Sequence, residues 1–342
     1  MNPCIGHDIL PAPCILLPGR LMLYRTVINR LLIKPSLGIV LLLLCWATSV
    51  TADTRPTRHI MVSMRPIALL VQELTQGLPV QVTTLLPQGA TPHDYALKPS
   101  DLRAMMEADL VVWLGEAGEP YLEGVVARTG AQIAWSALPG LVQLPPRPAL
   151  HEDHQGGHDH HHVDSQQGHH HSTTFDLHFW FSVDNAVTLA DAVEQALLAR
   201  DPKLKNALAQ NKAALVQRLQ QQRDQSRLLL AQAAGPFMLS HDAYYYLEQD
   251  LGIQSEGAIS LDPEIKPGVK HLMAIKERIE DHKVRCVISD PSVSNALLNK
   301  VDTQPPLVRL SIDPLAWDYQ GNGFSEWLSS VYVKMVVCTT AG

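Results

Sequence analysis

The sequence predicts an α/β chain of two lobes, each a parallel sheet flanked by helices, with one long helix joining them. Three observations lead there. Short β-branched runs alternate with helix-forming segments between residues 59 and 115. The same rhythm returns after residue 236. Between the two, Lys203 to Ala234 holds no glycine or proline. In order, His59–Met64 ("HIMVSM") reads as a strand and Pro66–Gln76 as a helix. Val80–Leu86 ("VQVTTLL") is β-branched with period two, so a strand is expected. Ser100 offers a cap for a short helix, "DLRAMMEA", ahead of the strand "LVVWLG". Lys203–Ala234 is built mainly from Ala, Leu, Gln, Lys and Arg, all strong helix formers. As one helix it spans about 45–50 Å, enough to strut two halves together. Beyond it come "PFMLS", a helix Lys266–Asp281, "VRCVIS", a helix after Pro291, "LVRLSI" and a last helix from Phe324 to Val337. No internal repeat stands out. The expected division is a leader at 1–52, an N-terminal lobe at 53–200, the linking helix at 201–235 and a C-terminal lobe at 236–342.

The leader reads as a targeting segment. Arg25, Arg30 and Lys34 precede an uncharged run from Pro35 to Ala52, whose apolar centre, Leu37–Ala47, is too short to anchor in a bilayer. Val50 and Ala52 stand where a signal peptidase reads small residues, so cleavage after Ala52 and export are expected. A lipoprotein signal on Cys45 is the alternative, with bulky Leu44 against it, and Met22 is an alternative start to Met1. Of 27 basic and 34 acidic residues the leader carries four and one, leaving an exported chain of net charge −10 with histidine neutral. That disfavours nucleic acid as a partner and suits attraction of cations. Cys4, Cys14 and Cys45 leave with the leader. The remaining pair, Cys286 and Cys338, reads as one disulfide in an oxidising compartment, with two buried free thiols as the alternative.

Histidine carries the chemistry. Nine of sixteen lie in "HEDHQGGHDHHHVDSQQGHHH", at His151, His154, His158, His160, His161, His162, His169, His170 and His171. The stretch is polar, contains glycine and has Val163 as its only aliphatic residue, so it reads as a mobile loop that collects metal without fixed geometry. A better site uses the isolated histidines. His93 follows the strand ending at Leu86, His241 comes directly after "PFMLS", and Asp313 directly after "LVRLSI". In open α/β sheets ligands bind beyond the carboxyl ends of the strands, so these three fall where binding is expected. His178 lies among aromatics in "FDLHFWFS". His59, His271 and His282 read as ordinary surface or strand-end residues.

The phrases "GATPHDYALKPSDLRAM", "DLHFWFSVDNA", "LSHDAYYYL" and "LSIDPLAWDY", in this order around a long helix, resemble the ZnuA family of periplasmic zinc-binding proteins of ABC importers. The resemblance covers about residues 57 to 340. It implies two α/β lobes joined by a rigid helix, with the metal site in the cleft between them. Residue by residue it makes His93, His178 and His241 zinc ligands, with Asp313 or a water as the fourth. Pro92 stands where some relatives have a glutamate, and Asp290 is a lesser candidate that otherwise reads as a cap on the helix after Pro291. It also implies zinc as the carried ion, a membrane permease subunit as partner, a monomer, and the Cys286–Cys338 pairing.

Three imidazoles and at most one carboxylate suit tetrahedral zinc, with Zn–N at about 2.0–2.1 Å. Manganese sites take more oxygen, whereas copper, nickel and cobalt are not excluded by ligand count. A three-histidine zinc site with an open position could also be catalytic. The chain has no HExxH, so binding rather than catalysis is expected. A periplasmic zinc buffer, chaperone or adhesin, or a binder of another divalent metal, remains the alternative reading.

Overall fold

The computed structural model describes residues 57–92, 95–147, 174–260 and 266–340. The leader, His93 and the histidine-rich stretch 151–171 lie outside the described residues. The first half opens with β1 (Arg58–Val62), α1 (Arg65–Leu74), β2 (Val80–Thr84), α2 (Pro99–Glu107), β3 (Leu110–Trp113), the single turn α3 (Glu123–Val126) and β4 (Gln132–Ala134). Its four strands pair in the order β2-β1-β3-β4, all parallel. After the undescribed segment come α4 (Val183–Arg200) and α5 (Lys205–Ala233). The second half follows with β5 (Phe237–His241), α6 (Tyr245–Leu251), β6 (Ala258–Ser260), α7 (Val269–Asp281), β7 (Cys286–Ser289), α8 (Asn295–Val301), β8 (Val308–Ser311) and α9 (Phe324–Thr339). Its sheet runs β6-β5-β7-β8, again all parallel. The two sheets therefore repeat one strand order without a visible sequence repeat.

α5 is the long helix expected between the halves. It has 29 residues, hence about 43 Å of length, and a 3-10 turn at Pro202–Leu204 leads into it. Leu208, Leu215, Leu219 and Leu230 are its buried stripe. The rest of the helix is chiefly Gln, Arg, Lys and Ala, with Leu228 and Leu229 exposed near its end, which suits a strut with one buried apolar seam. α9 packs along it, and Ser325 near the start of α9 shares the buried Glu73 carboxylate of α1 with Arg218 of α5 (Oγ at 2.6 Å, Nη2 at 2.7 Å). One apolar core runs from Ile60 and Val112 in the first sheet through Phe181 and Leu215 to Leu239, Ile288 and Trp327 in the second half. Phe181 stacks on Trp327 at 5.5 Å between ring centres. The lobes thus share a core as well as a helix.

Two expected details differ. α2 begins at Pro99, the position where proline's fixed φ and missing N–H suit a first helical turn. Ser100 therefore sits inside the helix and does not cap it; the Asp101 carboxylate accepts the Lys98 N–H at 2.9 Å instead. His241 is the last residue of β5, one position earlier than its expected place after the strand.

Beyond β3, Gly115 adopts φ +108, and a Cβ there would lie 2.0 Å from Ser136 Oγ, so only glycine fits. The turn it makes brings Glu119 into the core, fully buried, with Oε2 accepting the Leu114 N–H at 2.7 Å. Burial pushes its pKa from 4.5 up to about 7, against the opposing pull of that N–H and of Ser63 and Tyr121. A raised acid pKa means that the folded state holds the proton more tightly than the unfolded one. The stabilisation is then full below pH 4.5 and fades as pH rises through 7. Glu119→Gln removes that titration. The stability difference between wild type and variant is expected to change by about 3 kcal/mol between pH 4.5 and 7.5, in the variant's favour at the higher pH. Urea titrations at both pH values check this; parallel stability curves would refute it.

Candidate metal centre

The segment following β2, the end of β5 and the segments following β7 and β8 line one cavity of about 350 Å³. Gly89 to Pro92 come from the first, His241 from the second, Asp290 to Ser292 from the third and Asp313 to Trp317 from the fourth. His178 and Trp180 complete the wall. A larger cleft of about 640 Å³ lies beside α1 and β2, but its acidic centre, Glu73, is already occupied by Arg218 and Ser325.

Local folding explains where the imidazoles sit. His178 precedes a 3-10 turn, Phe179–Phe181, whose two phenylalanines are fully buried. Phe179 meets Trp135 edge-on at 5.2 Å, and the Trp180 indole N–H donates to Pro314 O at 2.9 Å. The turn is therefore nailed to both halves, and His178 is left at the cavity. His241 ends the central strand β5. The two rings lie 5.4 Å apart, nearly perpendicular.

Each ring is held by a carboxylate on the same nitrogen. His241 Nδ1 is 2.8 Å from Asp290 Oδ2, and His178 Nδ1 is 3.2 Å from Asp176 Oδ1, which also accepts the His178 N–H at 2.7 Å. Burial disfavours both carboxylate charges, but the imidazoles and N–H groups outweigh it, so Asp176 and Asp290 fall below the ordinary range and stay ionised. Burial likewise works against a charged His178, and Asp176 overcomes it, raising that pKa. With ionised carboxylates on Nδ1, the neutral rings carry their proton there and keep the Nε2 lone pair for a ligand. This is the arrangement that orients metal-binding histidines.

Asp290 is thus a partner of His241, and it is not the cap of the following helix. α8 starts only at Asn295 and is capped by Ser294, whereas Asp290 Oδ1 accepts from Ser292 N and Oγ, both at 2.7 Å. Asp313 lines the same cavity, and each of its oxygens already accepts a backbone N–H, from Leu315 at 2.8 Å and Trp317 at 2.9 Å. Burial pushes its pKa up against those donors, with Asp318 and Asp290 adding to the rise. Each oxygen retains a further lone pair. Among the described residues no three histidine, cysteine or acidic side chains form a group that could hold an ion. His93, the third imidazole expected, follows Pro92 on the cavity wall but lies outside the described residues.

The flanks of the undescribed segment 148–173 are tied beside this site. Asp176 N donates to Leu144 O at 2.8 Å, and the Tyr246 hydroxyl bridges Leu144 N and Asp176 O. Arg147 reaches both oxygens of Glu248 and lies 3.1 Å from Asp242. His59, His271 and His282 are engaged elsewhere, with Thr83, Ile259 O and Glu256. Sequence reasoning missed Asp176, whose only signal was a carboxylate two residues before a histidine.

The fold defines a class: two-lobed α/β solute-binding proteins built around one spanning helix, with a ligand cavity at the strand ends. Residues 60–338 match the family described as "Zinc-uptake complex component A periplasmic", and the chain belongs to that family. The high-affinity zinc uptake system protein ZnuA of Yersinia pestis is 33% identical over 264 residues, 75% of this chain and 82% of that protein. Its counterpart in Haemophilus ducreyi is 31% identical over 290 residues, 82% of this chain and 93% of the other. A crystal structure of ZnuA superposes with a TM-score of 0.66 at 21% identity, covering 83% of this chain and 99% of that one. At that identity the likeness speaks for the fold.

Proposed function

We propose that this chain binds zinc in the periplasm and hands it to the membrane permease of an ABC importer, acting as a monomer and as a carrier without catalysis. The observation that carries this reading is the pair of imidazoles 5.4 Å apart on one cavity, each with its Nδ1 fixed by an ionised carboxylate. His178 and His241 would supply two nitrogens, His93 a third and Asp313 an oxygen; the described three do not form an ion-holding group by themselves, and the set of four with His93 suits tetrahedral zinc. With Asp313 in the fourth position no bound water would be left to activate, which supports a carrier over a hydrolase. Ion binding links groups from both lobes and shifts the population toward the state that the permease recognises. The leader, cleaved after Ala52, would direct export, and among the described residues no helix is long and apolar enough to cross a membrane.

The histidine-rich stretch is a weaker metal collector. Its flanks at Arg147 and Asp176 adjoin residues that neighbour His178 and His241, which supports a role in feeding the cavity. Calorimetry and metal analysis on the exported chain, with and without residues 151–171, test the division of labour. The tight binding event is expected to survive deletion while the weaker stoichiometry disappears. Loss of the tight event along with the stretch would overturn the assignment of the primary site.

A further inference from the structure

Asp313 sits on an unusual turn. Ala316, three residues on, is fully buried and adopts φ 58, a left-handed conformation that a residue with a Cβ holds only where its surroundings impose it. The imposing group comes from the other lobe. Arg65, first residue of α1, donates from Nε to Ala316 O at 2.9 Å and from Nη2 to Tyr319 O and Gly321 O at 2.8 and 3.1 Å. The planar guanidinium thus gathers three carbonyls of one loop in a fixed fork. A second tie crosses nearby, from the Trp317 indole N–H to Ala90 O at 3.1 Å. The Leu315 and Trp317 N–H groups that orient the Asp313 carboxylate flank Ala316 on either side.

We propose that Arg65 is a positioning residue for the metal centre: it holds the Asp313 turn from across the lobe boundary and so sets the direction of that carboxylate without touching the ion. The proposal rests on the zinc reading above and on Asp313 as a ligand. Release of the fork lets Ala316 leave its left-handed state and turns the two oriented N–H groups away from the carboxylate. The Nδ1 partners of the histidine pair, Asp176 and Asp290, lie outside this turn, which meets the His178 segment through the bond from Trp180 Nε1 to Pro314 O. The carboxylate ligand of the C-terminal lobe then takes its direction from the N-terminal lobe.

A double-mutant cycle on the exported chain tests this, with zinc affinity read by chelator competition and the visible spectrum of the Co2+-loaded protein as a coordination readout. Arg65→Ala is expected to weaken zinc about tenfold in the wild-type background, the scale seen when the support of a ligand is lost. In the Asp313→Ala background the same change is expected to cost less than about twofold, because nothing is left to position. The Co2+ spectrum of R65A should resemble that of D313A, and Arg65→Lys, which keeps charge but not the fork, should fall between. An equal loss in both backgrounds, or no loss at all, overturns the proposal and leaves Arg65 as mere lobe adhesive. D313A binding as tightly as wild type overturns the Asp313 assignment and the proposal with it, while the histidine reading is judged separately by His241→Ala. Should R65A not fold, Arg65→Gln, with a similar stem and one donor, is read through the same cycle.

Discussion

His241→Ala is expected to lower zinc affinity by roughly 100- to 1000-fold. Four-ligand zinc sites bind with about 10–16 kcal/mol, so one ligand accounts for about 3–4 kcal/mol of it. The loss has a second source. Asp290 is buried and, with its imidazole partner gone, keeps only the Ser292 donors on its other oxygen. An ionised carboxylate oxygen left without a partner is costly in the free protein too. The metal-free variant should therefore also melt lower than wild type, and zinc should no longer raise its melting temperature, because ligand stabilisation scales with concentration over Kd. His271→Ala is the control: that ring bonds Ile259 O away from the cavity, so affinity should stay within about twofold. Competition against a chromophoric chelator reads both variants. A His241→Ala protein within threefold of wild type would remove the central strand from the site and with it the proposed coordination set.

That His241 and Asp313 could be picked out from sequence has a physical basis. Both follow short, largely apolar runs that read as strands, and the carboxyl ends of parallel strands are where such folds bind ligands. The long helix was equally legible, because a stretch without glycine or proline and rich in Ala, Leu and Gln has no other good conformation in a folded chain. What stayed hidden depends on contacts between distant residues or on elements too short to show a period. β4 and β6 have three residues each, fewer than an alternation needs to be seen. The partnership of Asp290 with His241 joins β7 to β5 across 49 positions, so Asp290 resembled a helix cap until the strands were laid side by side. Asp176 needed the backbone to turn before its carboxylate could meet both the N–H and the ring of His178. The expected element order also lacks α4, although Ser182 as cap and the buried residues Ala186, Leu189, Ala190, Val193 and Leu197 mark it. Arg65 carries no sequence signal at all, since its partners are main-chain carbonyls some 250 residues away, and any residue type supplies those.

Removing the Cys286–Cys338 disulfide, as the paired Cys286→Ala and Cys338→Ala variant, is expected to cost about 4 kcal/mol of unfolding free energy by the chain-entropy relation for a loop of this size. The two cysteines are 52 positions apart, and both are buried. The bond ties the last turn of α9 to β7, the inner strand beside β5. α9 is also the helix that packs on α5 and reaches α1 through Ser325 and Glu73, so it belongs to the joint between the lobes as much as to the second lobe. Loss of the bond therefore acts on the joint while leaving the imidazole pair and its carboxylates in place. Two readouts should separate. Urea midpoints of the metal-free protein should fall steeply, and zinc affinity measured well below the transition should change by no more than about threefold. A stability loss under 1 kcal/mol would show that apolar packing alone secures α9. A large loss of affinity in a protein that is still fully folded would show instead that the metal centre is strained through β7 and its Asp290, and that the disulfide belongs to the binding machinery.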